Sequence, residues 1–276
     1  MSSIRALLGL GVTVLLCSTR AGAQERLFPA VKSFELPEAS PRAYGLVARA
    51  LSTRRGESRF GAEHEGEVIL GENFPLVALK RGPRSIVLGL GSQAYGRFSL
   101  DDSKSALISL DWVAGLNTTA LLGPWALTLQ LYHESSHLGD EYADRFGVGR
   151  LDWSREVVAG WATYGSGDWR ITGGASYVLD DGLSLPRTGA ALGIDFRGNR
   201  QGARVSTIEP VIGLYTEGTS ATRWRFSHSA KLGVAFAGQG APRLGLALIA
   251  HDGLSTQRQF FREESRYLGL ELRIDL

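Results

Sequence analysis

The sequence is short of cysteine and of long apolar runs, and each shortage excludes a class of protein. Cys17 is the one cysteine among 276 residues, so an intramolecular disulfide framework is excluded. The apolar run from Ala6 to Leu16 is too short to cross a bilayer as a helix, which needs about 20 such residues. A disulfide scaffold and a helical membrane protein are therefore both disfavoured.

Residues 1–23 predict a secretory leader. Arg5 precedes the apolar run, and Ala21-Gly22-Ala23 forms an A-x-A cleavage site. Removing the leader takes away Cys17 together with Arg5 and Arg20, which are two of the 30 basic residues, and none of the 28 acidic ones. The remaining chain has no thiol for catalysis and no excess of either charge. Its composition gives no argument for a nucleic-acid partner.

Apolar residues recur at every second position along most of the chain, which is the period of a β-strand. The clearest segments are 106–117, 169–179, 188–196, 224–236 and 244–250. About 12 such segments can be counted, each near the roughly 9–11 residues that a tilted membrane strand needs.

The last strand separates its two faces most clearly. In the final segment, YLGLELRIDL, Leu268, Leu270 and Leu272 share one face, while Glu271 and Arg273 share the other. In a membrane barrel the apolar face meets lipid and the charged face meets a polar lumen. The prediction is an all-β protein, a closed antiparallel transmembrane β-barrel of about 12 strands. It comprises the leader (1–23), an irregular periplasmic lead (24–42) and the barrel (43–276).

Two motifs point to other chemistry, and the strand period argues against both. The segment 87–94 matches the dinucleotide fingerprint G-x-G-x-x-A, but no helix follows it. His133-Glu134-Ser135-Ser136-His137 matches the zinc-protease pattern H-E-x-x-H, which requires a helix. Residues 125–132 alternate as a strand, and on a strand His133 and His137 lie about 13 Å apart.

On a strand, His133, Ser135 and His137 share the lipid face, where polar side chains call for a reason. Connection lengths place them at the extracellular end. A histidine beside a serine can act as the base of a nucleophile. The acid that orients His133 is left open among the carboxylates of the following segment, with Glu141 as the predicted one. The four candidates are Asp140, Glu141, Asp144 and Asp152.

The His133-x-Ser135 pair at a strand end resembles the H-x-S of outer-membrane phospholipase A and of the lipid A deacylase barrels. The resemblance implies an outward-facing pair that cuts acyl esters of outer-leaflet lipids. The third residue of those families falls at a spacing that corresponds here to Gly147, which has no side chain for this role.

The segment HESSHLGDE is also similar to the H-x-S-S-H-x-G-D-E signature of a bacterial family of unknown function, as is the segment 60–79. This resemblance covers most of the chain after the leader. It implies a β-barrel of the bacterial outer membrane, and it brings no established activity.

Three hypotheses follow, and the sequence leaves open whether the protein is an enzyme. The first is a lipid esterase in the outer membrane, with Ser135, His133, His137 and Glu141 as its catalytic residues and membrane lipids as its partners. The second is a non-catalytic barrel with a structural, channel or interaction role. Formation of a homo-oligomer is left open under every hypothesis. The third adds Ca²⁺, which Asp140, Glu141 and Asp144 could bind through oxygen ligands.

Overall fold

The structure is a computed structural model that describes residues 24–29, 34–54, 62–101, 104–198, 206–238 and 242–275. The predicted leader lies outside the described residues. Within them, thirteen antiparallel strands form a single sheet. No helix in this part of the chain is long and apolar enough to cross a membrane.

The strands follow one another along the chain with one short helix between them. They are β1 (Gln24–Leu27), β2 (Gly45–Arg54), β3 (His64–Arg81), β4 (Arg84–Ser99), β5 (Leu107–Leu122), β6 (Trp125–Leu138), β7 (Trp153–Ser166), β8 (Trp169–Asp181), β9 (Thr188–Arg197), β10 (Ser206–Thr219), β11 (Ser227–Gly238), β12 (Arg243–Leu254) and β13 (Glu264–Asp275). Helix α1 (Asp140–Phe146) lies between β6 and β7, and 3₁₀ turns occupy Ser220–Thr222 and Arg258–Phe260.

Strands β2 to β13 close into a barrel. Each pairs with the next along the chain, and β13 pairs back onto β2. Closure leaves no open sheet edge in the wall, which is the condition for a sheet to lie in lipid. The predicted closed antiparallel barrel of about 12 strands is confirmed. Strand β1 pairs with the far part of β3 and extends the wall at one end.

The two faces of the wall divide as the alternation predicts. On β13, Leu268 and Leu270 point outward and are 66% and 63% exposed, whereas Glu271 points inward and is buried. Glu271 forms ion pairs in the lumen with Arg49 and Lys231. The outward surface is apolar because it faces hydrocarbon, and the inward charges are neutralised by one another.

Connection length distinguishes the two ends of the barrel. Residues 82–83, 123–124 and 167–168 are short turns at one end, where β1 and the end of β13 also lie. The longer connections, including 139–152 with α1 and 255–263, lie at the other end. By the usual orientation of such barrels, the first end is periplasmic and the second is extracellular.

The segment 34–44 lies inside the barrel, which the sequence did not predict. We expected an irregular periplasmic lead over 24–42, but β1 forms at its start and the later residues enter the lumen. Glu38 is buried there against Arg197 and Lys231, and its backbone N–H donates to Asp195 Oδ1 at 2.8 Å. The inward charges of the wall draw this segment in, because buried ions need partners of opposite charge.

Two glycines of the wall make room for this lumen segment. A Cβ atom on Gly193 would lie 2.5 Å from the ring of Pro37, and one on Gly91 would lie 2.6 Å from Tyr44 Oη. A side chain does not fit at such distances. Glycine at these two positions therefore leaves the space in which the lumen segment packs against the wall. Gly91 is buried on the lumen side of β4.

The charge of Glu38 makes the packing of the lumen segment depend on pH. Glu38 belongs to the connection between β1 and β2. Burial by itself would raise its pKa, but attraction to Lys231 and Arg197 lowers the pKa well below its usual value. A carboxyl group with a lowered pKa stabilises the folded state above its unfolded pKa of about 4.3. That stabilisation is lost as the pH falls toward the folded-state pKa.

We predict that the Glu38→Gln variant loosens the lumen segment. The change leaves Arg197 and Lys231 buried without this carboxylate, which costs several kcal/mol. The measurement is maleimide labelling of Ala39→Cys, because residues 24–276 contain no other cysteine. Labelling should be at least about tenfold faster when Glu38→Gln is also present.

The matched control is Glu264→Gln, which removes the same charge from an exposed ion pair with Arg225. Labelling of Ala39→Cys should not change with this control. Equal rates with Glu38→Gln and with Glu264→Gln would show that Glu38 does not hold the segment in place.

Candidate functional site

The segment 133–137 is a continuous part of strand β6, so alternate residues face opposite sides of the wall. His133, Ser135 and His137 point outward, and Glu134 and Ser136 are buried toward the lumen. This is the placement that the alternation predicts. The two imidazoles stay about 13 Å apart along the strand and cannot share one zinc ion.

His133 contacts a carboxylate on the neighbouring strand. The Nδ1 atom lies 2.8 Å from Oε1 of Glu156, which stands directly opposite His133 in the β6–β7 register. The two side chains are 45% and 32% exposed on the outward face. A histidine held by a carboxylate beside a hydroxyl is the arrangement that activates a serine.

The acid beside His133 is therefore Glu156, and none of the predicted candidates occupies this position. Asp140, Glu141 and Asp144 lie exposed on α1, where Asp140 pairs with Arg150 at 2.6 Å. Asp152 lies in the connection that follows. Helix α1 carries its acids beyond the end of β6, whereas β pairing sets Glu156 against His133. The sequence could not show this pairing because the irregular connection hides the register.

Ser135 stands between two outward neighbours in the wall. Trp112 of β5 and Ser154 of β7 are its partners in register, and both are exposed. His133 precedes it and His137 follows it on the same face, each about 6.6 Å away along the strand. His137 is exposed opposite Leu110 near the end of β6.

The height of Ser135 in the wall can be estimated from β6. Trp125 and Tyr164 contact each other at the periplasmic end of the strand pair, with ring centroids 4.9 Å apart, as in an aromatic girdle. Leu127, Leu129 and Leu131 follow outward. At the usual rise and tilt, Ser135 lies about 25 Å above Trp125, which is the height of the apolar band of such barrels. Ser135 therefore lies at the extracellular rim of that band.

Glu134, an inward residue of the same segment, contacts three side chains inside the barrel. The Oε1 atom of Glu134 accepts from Arg258 Nε at 2.8 Å and pairs with Arg42 at 3.2 Å, while Oε2 accepts from Trp153 Nε1 at 3.1 Å. Arg42 comes from the lumen segment and Arg258 from the β12–β13 connection. Glu134 thus links both segments that fill the lumen to the strand that carries His133 and Ser135.

Within the described ranges, no group of three or more His, Cys, Asp or Glu side chains is arranged to hold a metal ion. The Ca²⁺ site predicted at Asp140, Glu141 and Asp144 therefore has no preformed cluster there.

Comparisons with known proteins agree with this architecture. A family model described as "Protein of unknown function (DUF1207)" matches residues 25–275. The chain belongs to the DUF1207 family. No curated protein matches it significantly in sequence. Membership in a family of unknown function was predicted and is confirmed, while the signature at 133–141 stays a prediction.

Solved structures similar to this DUF1207 chain are bacterial outer-membrane barrels. Outer membrane phospholipase A from Escherichia coli aligns with a TM-score of 0.58 at 14% identity, over 87% of this chain and 94% of its own. The phospholipase of Salmonella typhi, a dimer with bound calcium, gives 0.58 at 14% identity over 88% and 93%. LpxR from Salmonella typhimurium aligns at 0.38 with 8% identity, over 83% and 99%. The phospholipase matches establish a shared fold.

We predict that Glu134 is structural and Glu156 is not. Glu134→Gln removes the carboxylate that Arg258 contacts and leaves Arg42 with Asp111 alone, and it should lower the free energy of unfolding by about 3–5 kcal/mol. Glu156→Gln, on the exposed face, should change it by less than about 0.5 kcal/mol. Urea unfolding in detergent micelles, followed by tryptophan fluorescence, measures both. Similar losses for the two variants would contradict the division of roles on β6.

Proposed function

We propose that this DUF1207 barrel is a lipid esterase of the bacterial outer membrane, with Ser135 as nucleophile, His133 as base and Glu156 as the acid that orients it. The contact of His133 with Glu156 on the outward face, beside Ser135, carries the proposal. The substrate class is an acyl ester of an outer-leaflet lipid.

The contact determines the protonation of the imidazole in this mechanism. A carboxylate only accepts hydrogen bonds, so Nδ1 of His133 carries the proton that it shares with Glu156. Nε2 is then left as the acceptor and is free to take a proton from the serine hydroxyl. Glu156 also stabilises the imidazolium formed in the reaction, as the third residue of a serine triad does.

The reaction follows from these roles. The Oγ atom of Ser135 attacks the ester carbonyl carbon while its proton passes to Nε2 of His133. The carbonyl–alkoxy bond then breaks, and His133 returns the proton to the departing alcohol. Water, activated by the same histidine, hydrolyses the acyl-serine and releases a fatty acid.

His137 is proposed to stabilise the oxyanion formed during attack. It follows Ser135 on the same face, so its ring lies on the side of the serine opposite His133. A donor N–H aimed at developing negative charge lowers the barrier of acyl transfer.

The position of Ser135 favours a lipid ester over a soluble one. The hydroxyl lies at the extracellular rim of the apolar band, where the acyl esters of an outer-leaflet lipid meet water. The phospholipase with the same fold bears the name of a lipid-cleaving enzyme, which supports the choice of substrate class.

We predict that Ser135→Ala abolishes hydrolysis of fluorogenic phospholipids in reconstituted vesicles, by about 10³-fold or more, because the nucleophile is lost. The matched control is Ser154→Ala, which removes the exposed hydroxyl opposite Ser135 in register. It should leave the rate unchanged. Fluorophosphonate labelling of the wild type and of the Ser154→Ala variant, but not of Ser135→Ala, would identify the nucleophile directly. Undiminished hydrolysis by Ser135→Ala would refute the proposal.

The role of Glu156 has its own test. Glu156→Gln should lower kcat about 10- to 10²-fold with little change in KM, because the imidazolium loses its counter-charge. Glu141→Gln on helix α1 is the control and should be silent. If Glu141→Gln is the more damaging change, the acid is the one that the sequence predicted.

Calcium binding and dimer formation extend the proposal. The similar phospholipase of Salmonella typhi is a dimer with bound calcium, and Asp140, Glu141 and Asp144 are exposed above β6. Activity measured with Ca²⁺ and with chelator, and the mass of the detergent complex by light scattering, test both properties.

The alternative is a non-catalytic barrel. The filled lumen argues against a channel, since residues 34–44 and 255–261 occupy it. A structural or interaction role would be favoured if fluorophosphonate failed to label the folded wild type and no lipid ester was cut.

A further inference from the structure

The outward wall carries a groove on the side of the barrel opposite His133. It has a volume of about 1140 Å³ and runs across β8 to β13 and onto β2. This volume slightly exceeds the range usual for small-molecule sites. Nothing in the proposed esterase mechanism uses this surface.

A row of polar side chains crosses the upper end of the groove. Thr216, His228, Asp252, Arg266 and Arg54 are consecutive partners in register on β10, β11, β12, β13 and β2. All five side chains point outward. We call these five residues the polar row.

The polar row contains hydrogen-bond donors that have no acceptor among the described residues. Arg266 Nε donates to Asp252 Oδ1 at 2.7 Å, and both side chains are more than 60% exposed. Arg54 and His228 have no hydrogen-bond partner among the described residues, and Thr216 Oγ1 is buried without one. One carboxylate therefore faces two guanidinium groups and an imidazole, which leaves net positive charge on a lipid-facing surface.

The groove below the row is apolar and has a low floor. The next outward residues in register are Leu214, Ala230, Ala250, Leu268 and Ser52. The small side chains of Ala230 and Ala250 lie between Leu214 and Leu268, which are 56% and 66% exposed. Leucine side chains therefore form the two sides of the depression, and cationic side chains lie at its upper end.

The level of the polar row matches the headgroup region. On β11 the outward residues from Phe236 to Ala230 are apolar, and His228 comes next. At the usual rise and tilt, His228 lies about 20 Å above Phe236, close to the extracellular edge of the apolar band. Cations at this level meet lipid phosphates, with which guanidinium groups form strong charge-assisted hydrogen bonds.

We propose that the polar row and the groove below it bind a phosphorylated glycolipid of the outer leaflet. Arg54, Arg266 and His228 bind its phosphate groups. The acyl chains lie over Ala230 and Ala250. This binding site is independent of catalysis at Ser135.

The width of the site favours a glycolipid with several acyl chains over a phospholipid with two. Strands lie about 4.8 Å apart, so the five strands of the polar row span about 19 Å of the wall. His228 and Arg266 are separated by one strand, or about 10 Å. A headgroup that contacts both His228 and Arg266 must be as broad as a disaccharide with phosphate substituents.

The test is native mass spectrometry of the full-length mature barrel in mild detergent, titrated with three lipids. They are a diphosphorylated multi-acyl glucosamine disaccharide, its dephosphorylated form, and phosphatidylglycerol. We expect one copy of the phosphorylated glycolipid to be retained, with an affinity at least tenfold above that of the other two. The double variant Arg54→Gln with Arg266→Gln should lose at least tenfold in this affinity.

Matched variants keep the test specific. Arg81→Gln with Arg84→Gln removes the same charge at the periplasmic turn and should not change binding. Arg54→Lys with Arg266→Lys keeps the charge and should retain most of the affinity. Ala250→Phe fills the groove floor and should weaken binding without a change of charge. Heat-modified migration in gels checks that every variant is folded.

Several outcomes would overturn the proposal. Equal affinity for the phosphorylated and dephosphorylated glycolipids would remove the phosphate contact. Preference for phosphatidylglycerol would refute the choice of glycolipid. Binding unaffected by the Arg→Gln pair, or reduced equally by the periplasmic control, would place the lipid elsewhere. Ser135→Ala should bind as the wild type does, which separates this test from that of the esterase.

Discussion

The pairing of charges inside a closed wall is the constraint on which the rest of this structure depends. Glu271 of the last strand contacts Arg49 of β2 and Lys231 of β11, so the strand that closes the barrel is tied on both sides through the lumen. Lys231 also contacts Glu38 of the lumen segment. Each buried charge is tolerable only because a partner of opposite charge lies within contact distance. The lumen is consequently filled with protein.

The same constraint couples the candidate site to the interior. In β6, adjacent side chains point to opposite faces of the wall. Glu134 joins Arg42 and Arg258 in the lumen, while His133 and Ser135 face outward. A strand fixed from within holds its outward side chains in a fixed register with those of β7. That rigidity keeps the His133–Glu156 contact across the two strands in place, which the proposed esterase roles of His133 and Ser135 require.

Two outward features of the described wall carry ionisable side chains near its extracellular end, and they lie on opposite sides of the barrel. The His133–Glu156 pair lies on β6 and β7, and the polar row lies on β10 to β2. Both lie at the extracellular rim of the apolar band. Charge in that position is costly unless it meets a polar group of the lipid. We therefore interpret both features as contacts with outer-leaflet lipid, one proposed to cut an ester and the other to bind a phosphate.

The sequence by itself determined the barrel and the facing of its side chains. The period of two along segments such as 125–132 and the charge alternation of 268–275 fix which residues meet lipid, because successive side chains on a strand point to opposite faces. That rule placed His133, Ser135 and His137 outward. It also excluded a zinc site at His133 and His137, because strand geometry separates the two histidines.

Only the tertiary structure decided which residues meet across strands. Glu156 faces His133 because β6 and β7 pair in one register, and an irregular connection with a helix separates them in sequence. For the same reason the sequence pointed to Glu141, which is close along the chain but lies on helix α1, beyond the end of β6. The lumen position of Glu38 depends on charges from distant strands. The alternation along a strand determines which face of the wall a side chain is on. Its partners on other strands are determined by how the whole sheet pairs and closes.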